Sequence, residues 1–102
     1  MKWVLIMSML FVLPAKPKPL TLQEVAEIRV RYMAKKNYRW HPPYSVCNPF
    51  KHGARFEGCG WGGKNRDPKT LGTCTPRRKL RLAADAVAIG KHGRTYRLRL
   101  WR

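Results

Sequence analysis

The chain has 102 residues, and 22 lysines and arginines against 5 acidic residues give it a formal net charge of +17. This length excludes a multidomain architecture and leaves only a marginal core, which small secreted domains usually reinforce with disulfides. Such an excess of like charge opposes compaction, so we expect an acidic partner: an anionic membrane, a polyanionic sugar, a nucleic acid or an acidic protein.

The first fifteen residues have the pattern of a secretory signal peptide. Lys2 precedes an apolar run over residues 3–13, interrupted only by Ser8, and Pro14 and Ala15 end it. The run is too short for a membrane-spanning helix, which needs about 20 residues. We therefore predict a secreted, extracellular protein; a buried N-terminal strand or helix is the alternative.

A proline-spaced linker over residues 16–19 leads into a predicted helix. Residues 21–24, Thr-Leu-Gln-Glu, form the pattern of a capping box. Apolar and aromatic residues then recur at nearly helical spacing, which predicts a helix from about 22 to 35. The alternation over residues 28–32 also fits a strand.

The remaining chain changes character twice. Tyr38 and Trp40 flank Arg39 as in a strand, and residues 41–43 predict a turn. A glycine-rich stretch over residues 48–74 reads as loop. Apolar residues between 80 and 89, the segment Gly90–Gly93, and the alternation from Tyr96 to Leu100 then predict a hairpin with a four-residue turn.

The middle of the chain, residues 31–78, resembles the Kunitz/BPTI family of serine protease inhibitors. The matching features, in chain order, are Tyr38-Arg39-Trp40 before a cysteine, Cys47-Asn48-Pro49-Phe50, Gly58-Cys59-Gly60, the segment 62–66, and Thr70 four residues before Cys74. The chain has three cysteines where the family has six, and extra residues separate Phe50 from Gly58.

The resemblance implies a small, disulfide-rich α+β fold: a Kunitz-like twisted β-hairpin with short helices, to which a basic C-terminal β-hairpin is appended. It implies a disulfide between Cys47 and Cys74 and an unpaired thiol at Cys59. It also implies a protease-contact loop with Tyr32 at the specificity position, formed by Arg31, Tyr32, Met33, Ala34 and Lys35. Because the cysteine that anchors this loop in the family is missing, we expect inhibition to be weak or lost.

These observations predict four segments in chain order. Residues 1–15 are a signal peptide, residues 16–30 a linker with a short helix, residues 31–78 the Kunitz-like domain, and residues 79–102 a basic C-terminal extension.

Other chemistry finds little support in the sequence. His41, Cys47, His52 and Cys59 are candidate zinc ligands, but they lack the tight spacing of structural zinc sites. Cys59 and His52 have no evident orienting acid for nucleophilic catalysis. Residues 60–64 contain only the first half of a phosphate-binding loop. We therefore predict no enzyme activity, no metal or other cofactor and no small-molecule substrate.

Three functions follow as hypotheses. The first is a secreted Kunitz-like protein of the serine-type endopeptidase inhibitor class, with a serine protease as its partner. The second is a secreted cationic effector that binds membranes or polyanions. The third is a small basic nucleic-acid-binding protein. For polyanion binding, the candidate residues are Arg94, Arg97, Arg99 and Arg102, with Tyr96 and Trp101 interleaved. The oligomeric state is not predicted.

Overall fold

The computed structural model describes residues 18–102, in which one helix packs on a three-stranded antiparallel sheet. Helix α1 spans Leu22–Lys36, and the strands are β1 (Phe56–Gly62), β2 (Leu82–Ile89) and β3 (Thr95–Trp101). Two short 3-10 helices, Pro49–His52 and Pro68–Thr70, lie in the connections. The predicted signal peptide at 1–15 lies outside the described residues.

Helix α1 confirms the sequence prediction and excludes the strand alternative at 28–32. The Thr21 hydroxyl accepts from the backbone N–H of Glu24 at 3.1 Å, and the Glu24 carboxylate accepts from the backbone N–H of Thr21 at 2.9 Å. This reciprocal pair satisfies two donors that would otherwise be free at the helix start. The helix ends at Asn37, which adopts the left-handed conformation with φ 51°.

The predicted hairpin is also confirmed, and β3 is the central strand of the sheet. The order is β1-β3-β2, with Cys59 opposite Leu98 in one pair and Ala86 opposite Leu98 in the other. The β2–β3 turn contains Gly93 with φ 80°, a conformation that glycine adopts without steric cost.

The core lies between α1 and one face of the sheet. The helix contributes buried residues at spacings of three and four, and β3 contributes Tyr96, Leu98 and Leu100 at a spacing of two. On the helix these residues are Leu22, Val25, Ala26, Val30 and Met33.

The opposite face of β1 is covered by the chain segment 72–74. A Cβ built on Gly60 would lie 1.9 Å from the carbonyl oxygen of Gly72, and one built on Gly58 would lie 2.1 Å from that of Cys74. Only glycine permits so close an approach of two backbones.

Two predicted local conformations are wrong. Residues 31–35, expected as an extended protease-contact loop, form the last part of α1, because the capped, core-facing helix continues to Lys36. Tyr38, Arg39 and Trp40 belong to no strand. The loop that follows them is held by Arg29, which donates hydrogen bonds to the carbonyl oxygens of Pro42 and Val46 at 2.6 and 2.9 Å.

All three cysteines have free thiols in this structure, so the predicted disulfide between Cys47 and Cys74 is not formed. Cys47 packs against the core on the helix side of the sheet, whereas the Cys74 backbone lies against Gly58 on the other side. The two residues therefore pack against different parts of the structure. Cys59 lies inside the core.

The small α+β class is observed, whereas the finer Kunitz-like arrangement is not established. The boundary expected between residues 30 and 31 falls inside α1. The expected extension, residues 79–102, supplies β2 and β3, and β1 pairs with β3 along its whole length. The C-terminal hairpin is thus part of the same sheet as the glycine-rich strand.

Candidate polyanion-binding surface

The four arginines that the sequence assigned to polyanion binding do not form one cluster in the structure. Arg97 makes an ion pair with Asp85 across the β2–β3 pair, its Nε donating at 2.9 Å, and its NH1 donates to the Leu71 carbonyl at 2.9 Å. These hydrogen bonds hold the pKa of Asp85 below its ordinary value and raise that of Arg97. An arginine with its donors occupied in this way is a poor ligand for an external anion.

Arg99 and Arg102 lie away from Arg94, near the other end of β3. The Arg99 guanidinium is 5.7 Å from the Trp101 ring, and its Nε is buried without a hydrogen-bond partner among residues 18–102. Arg102 is exposed, and its guanidinium lies beside Gly53. These two side chains do not share a site with Arg94.

Arg94 belongs to a cluster at the end of the molecule where α1 ends and β2 turns into β3. Its guanidinium donates to Asn37 Oδ1 at 2.8 Å, and the hydroxyl of Tyr96 donates to the same oxygen at 2.5 Å. The left-handed residue that ends the helix thereby fixes the hairpin turn against the helix terminus.

A cavity of about 340 Å³ lies at this junction. Among the described residues, no acidic side chain lines it. Its basic lining residues are Lys35, Lys36, Lys91, His92 and Arg94. Because the C-terminal end of a helix carries a partial negative charge, any attraction for an anion here comes from these side chains and not from the helix dipole.

Trp61, at the end of β1, extends this cluster. The Arg39 guanidinium lies 4.7 Å from the centre of the Trp61 ring and that of Arg94 lies 5.5 Å from it, while Trp61 is 45% exposed. Two guanidinium groups are thus held beside one exposed indole. We call this group the cationic surface; it comprises Lys35, Lys36, Arg39, Trp61, Lys91 and Arg94.

A second concave site, of about 480 Å³, lies between the loop after α1 and the start of β1. We call it the aromatic cavity. Its ring-bearing lining residues are Trp40, His41, Tyr44, Phe50 and Phe56, and Arg55 and Glu57 complete its polar part. Trp40 and Tyr44 are 65% and 62% exposed, unusually high fractions for large aromatic side chains.

The polar floor of the aromatic cavity rests on a buried ion pair. Glu57 accepts hydrogen bonds from Arg29 Nε and NH2 at 2.5 and 2.9 Å, and both side chains are almost fully buried. His41 Nδ1 lies 2.9 Å from the same carboxylate, which fixes the plane of the imidazole.

The four candidate zinc ligands are not brought together: within residues 18–102, no cluster of three or more histidine, cysteine or acidic side chains has metal-binding geometry. In the same part of the chain, no helix is long and apolar enough to cross a membrane.

Of the cationic surface, only Arg94 was predicted from the sequence for polyanion binding. Lys35 and Arg39 were considered only within the family resemblance, and Lys36, Trp61 and Lys91 were given no binding role, because these residues lie far apart in the sequence. The turn at Gly90–Gly93 and the end of the helix could each be predicted from the sequence, but the contact between them could not.

Comparisons with protein families, curated proteins and solved structures found no match for this chain.

Proposed function

We propose that the protein binds polyanions through the cationic surface. The observation that carries this proposal is the grouping of Lys35, Lys36, Lys91 and Arg94 around one cavity, with Arg39 and Arg94 beside an exposed Trp61. Basic side chains combined with an exposed aromatic ring are the usual means of holding an anionic chain.

The charge balance supports the same conclusion. Of the described lysines and arginines, only Arg29 and Arg97 form ion pairs with acidic side chains. Charges separated by more than about 8 Å are screened from one another at physiological salt. A local group of cations therefore matters more for binding than the net charge, and the cationic surface is such a group.

The arrangement gives less support to a protease-inhibitor function. A Kunitz-like inhibitor presents an extended, preorganised loop to its target. Residues 31–35, which the resemblance assigns to this loop, are helical, and the side chain of Met33 is fully buried. We therefore prefer polyanion binding to inhibition as the proposed activity.

Elution from a heparin column tests the proposal with charge-matched variants. Lys36→Gln/Lys91→Gln removes two charges from the cationic surface. Arg77→Gln/Lys79→Gln removes two exposed charges from the segment that precedes β2, at the opposite end of that strand from the turn. We expect the first variant to elute at clearly lower salt than the wild type and the second to elute close to it. Equal shifts for the two variants would mean that heparin responds only to net charge, and the proposed surface would be wrong.

A further inference from the structure

The aromatic cavity adjoins the cationic surface, and its chemistry specifies the polyanion further. We propose that this cavity takes a nucleobase of a single-stranded nucleic acid whose phosphates lie on the cationic surface. This inference rests on the proposed function and names its ligand class.

Continuity between the two sites is the first argument. Arg39, which lies over Trp61, is followed directly by Trp40, which lines the aromatic cavity. Arg39 contacts Trp61 and His41 contacts Glu57, so the segment 39–41 follows β1 from the cationic surface to the aromatic cavity. A nucleic-acid strand whose phosphates lie near Arg39 can therefore place a base against Trp40.

The exposure of the rings is the second argument. Trp40 and Tyr44 leave most of their surface in water, and Phe50 is 42% exposed. Tyr44 and Phe50 meet edge to face with ring centres 5.7 Å apart, which leaves a face of one ring open to a flat ligand. The volume of about 480 Å³ is within the range of small-ligand sites and exceeds what one base needs.

The oriented imidazole is the third argument. Glu57 fixes His41 through Nδ1, and Nε2 has no hydrogen-bond partner among the described residues. A polar atom held at a fixed angle beside exposed rings can pair with the edge of a stacked base. Arg55, which also lines the cavity, supplies a hydrogen-bond donor and a positive charge.

These features separate a nucleic acid from other polyanions. A sulfated sugar satisfies the lysines and arginines but has no aromatic face to stack on Trp40. An anionic membrane would bury the exposed rings, but it would make no use of a His41 imidazole held in one orientation. Single-stranded nucleic acid uses the cations, the rings and the oriented imidazole together.

The test compares an oligothymidylate with an abasic deoxyribose-phosphate oligomer of the same length and charge. We expect the wild-type protein to bind the oligothymidylate on the order of tenfold more tightly, since each stacked base adds about that factor. Trp40→Ala/Tyr44→Ala should abolish the difference and leave heparin elution unchanged. Leu82→Ala, which removes an exposed apolar side chain outside both sites, should keep the difference in affinity between the two oligomers. Circular dichroism verifies that each variant is folded.

A second readout does not depend on any variant. Oligothymidylate should quench tryptophan fluorescence and the abasic oligomer should not. Equal affinity for the two oligomers, or stronger binding to anionic vesicles than to oligothymidylate, would overturn the nucleobase site while heparin binding stands. If the wild-type protein did not bind heparin at moderate salt, the proposed function itself would be overturned.

Discussion

Arg29 connects most of the features that distinguish this molecule at the level of single residues. It lies in the middle of α1, is completely buried, and bonds to Glu57 and to backbone carbonyl oxygens of the loop 42–47. Its helical position was evident in the sequence, but its burial was not. The compensating charge is 28 residues away, and only the fold brings the two together.

Removing one member of this pair should be strongly destabilising. Arg29→Met leaves the Glu57 carboxylate buried without its main partner, and we expect the free energy of unfolding to fall by about 3–5 kcal/mol. Urea denaturation measures this change. Glu27→Gln, on the same helix with only a long contact to Gln23, serves as the control and should change stability by less than about 0.5 kcal/mol. A small effect of Arg29→Met would show that the pair contributes little.

Cys59 provides a pH-dependent test of the core. Burial raises the pKa of its thiol from 9.0 to about 12, and the negative charge of Glu57 adds to this effect. Between pH 9 and 12 the unfolded chain has released the thiol proton and the folded chain has not, so ionisation favours unfolding. The stability of the wild type should therefore fall relative to that of Cys59→Ala as the pH rises above 9, by at most about 1.4 kcal/mol per pH unit.

Thermal or urea unfolding of both proteins at a series of pH values from 8 to about 10.5 gives this difference. Parallel stability curves for wild type and Cys59→Ala would contradict the burial of the thiol. Other groups that titrate in this range are common to both proteins, so their contribution cancels in the comparison.

Helix α1 and the β2–β3 hairpin were predictable as elements because their signals are local. The capping box, the apolar spacing of three and four, and the glycine-bounded turn each lie within one short segment. Strand β1 was not predicted, because its sequence Phe-Glu-Gly-Cys-Gly-Trp-Gly is rich in glycine, which disfavours strands. Gly58 and Gly60 are explained only by the segment 72–74 that crosses them, whereas Gly62 lies against the side chains of Leu71 and Thr95.

This explanation for the glycines of β1 can be tested with two matched substitutions. Gly60→Ala places a methyl group against the carbonyl oxygen of Gly72. We therefore expect the free energy of unfolding to fall by about 1–3 kcal/mol. Gly63→Ala adds a methyl group with no atom within 4 Å, so it should have little effect. Melting temperatures of the two variants decide the matter. Equal melting temperatures would mean that the segment 72–74 does not pack on β1 as described.

The whole molecule carries its proposed binding site at one end, where three distant parts of the sequence meet. The alternation in β3 correctly placed Arg97 and Arg99 on one face, yet this did not make them a binding site. Asp85, a diagonal neighbour on the adjacent strand, forms an ion pair with Arg97, and the neighbours of a residue on other strands cannot be read from its own strand. Conversely, Arg39 and Lys91 belong to one surface only because the end of α1 contacts the β2–β3 turn.

The proposed function requires a polyanion to bind where α1 ends and β2 turns into β3. The most direct measurement is a titration of isotope-labelled protein with a heparin oligosaccharide, followed by NMR chemical shifts. We predict saturable shifts concentrated at the backbone amides of residues 34–37 and 90–94 and at the indole N–H of Trp61, which weaken as salt is raised. Shifts confined to Arg77, Arg78 and Lys79, or spread evenly over all basic residues without saturation, would contradict polyanion binding at this end of the molecule.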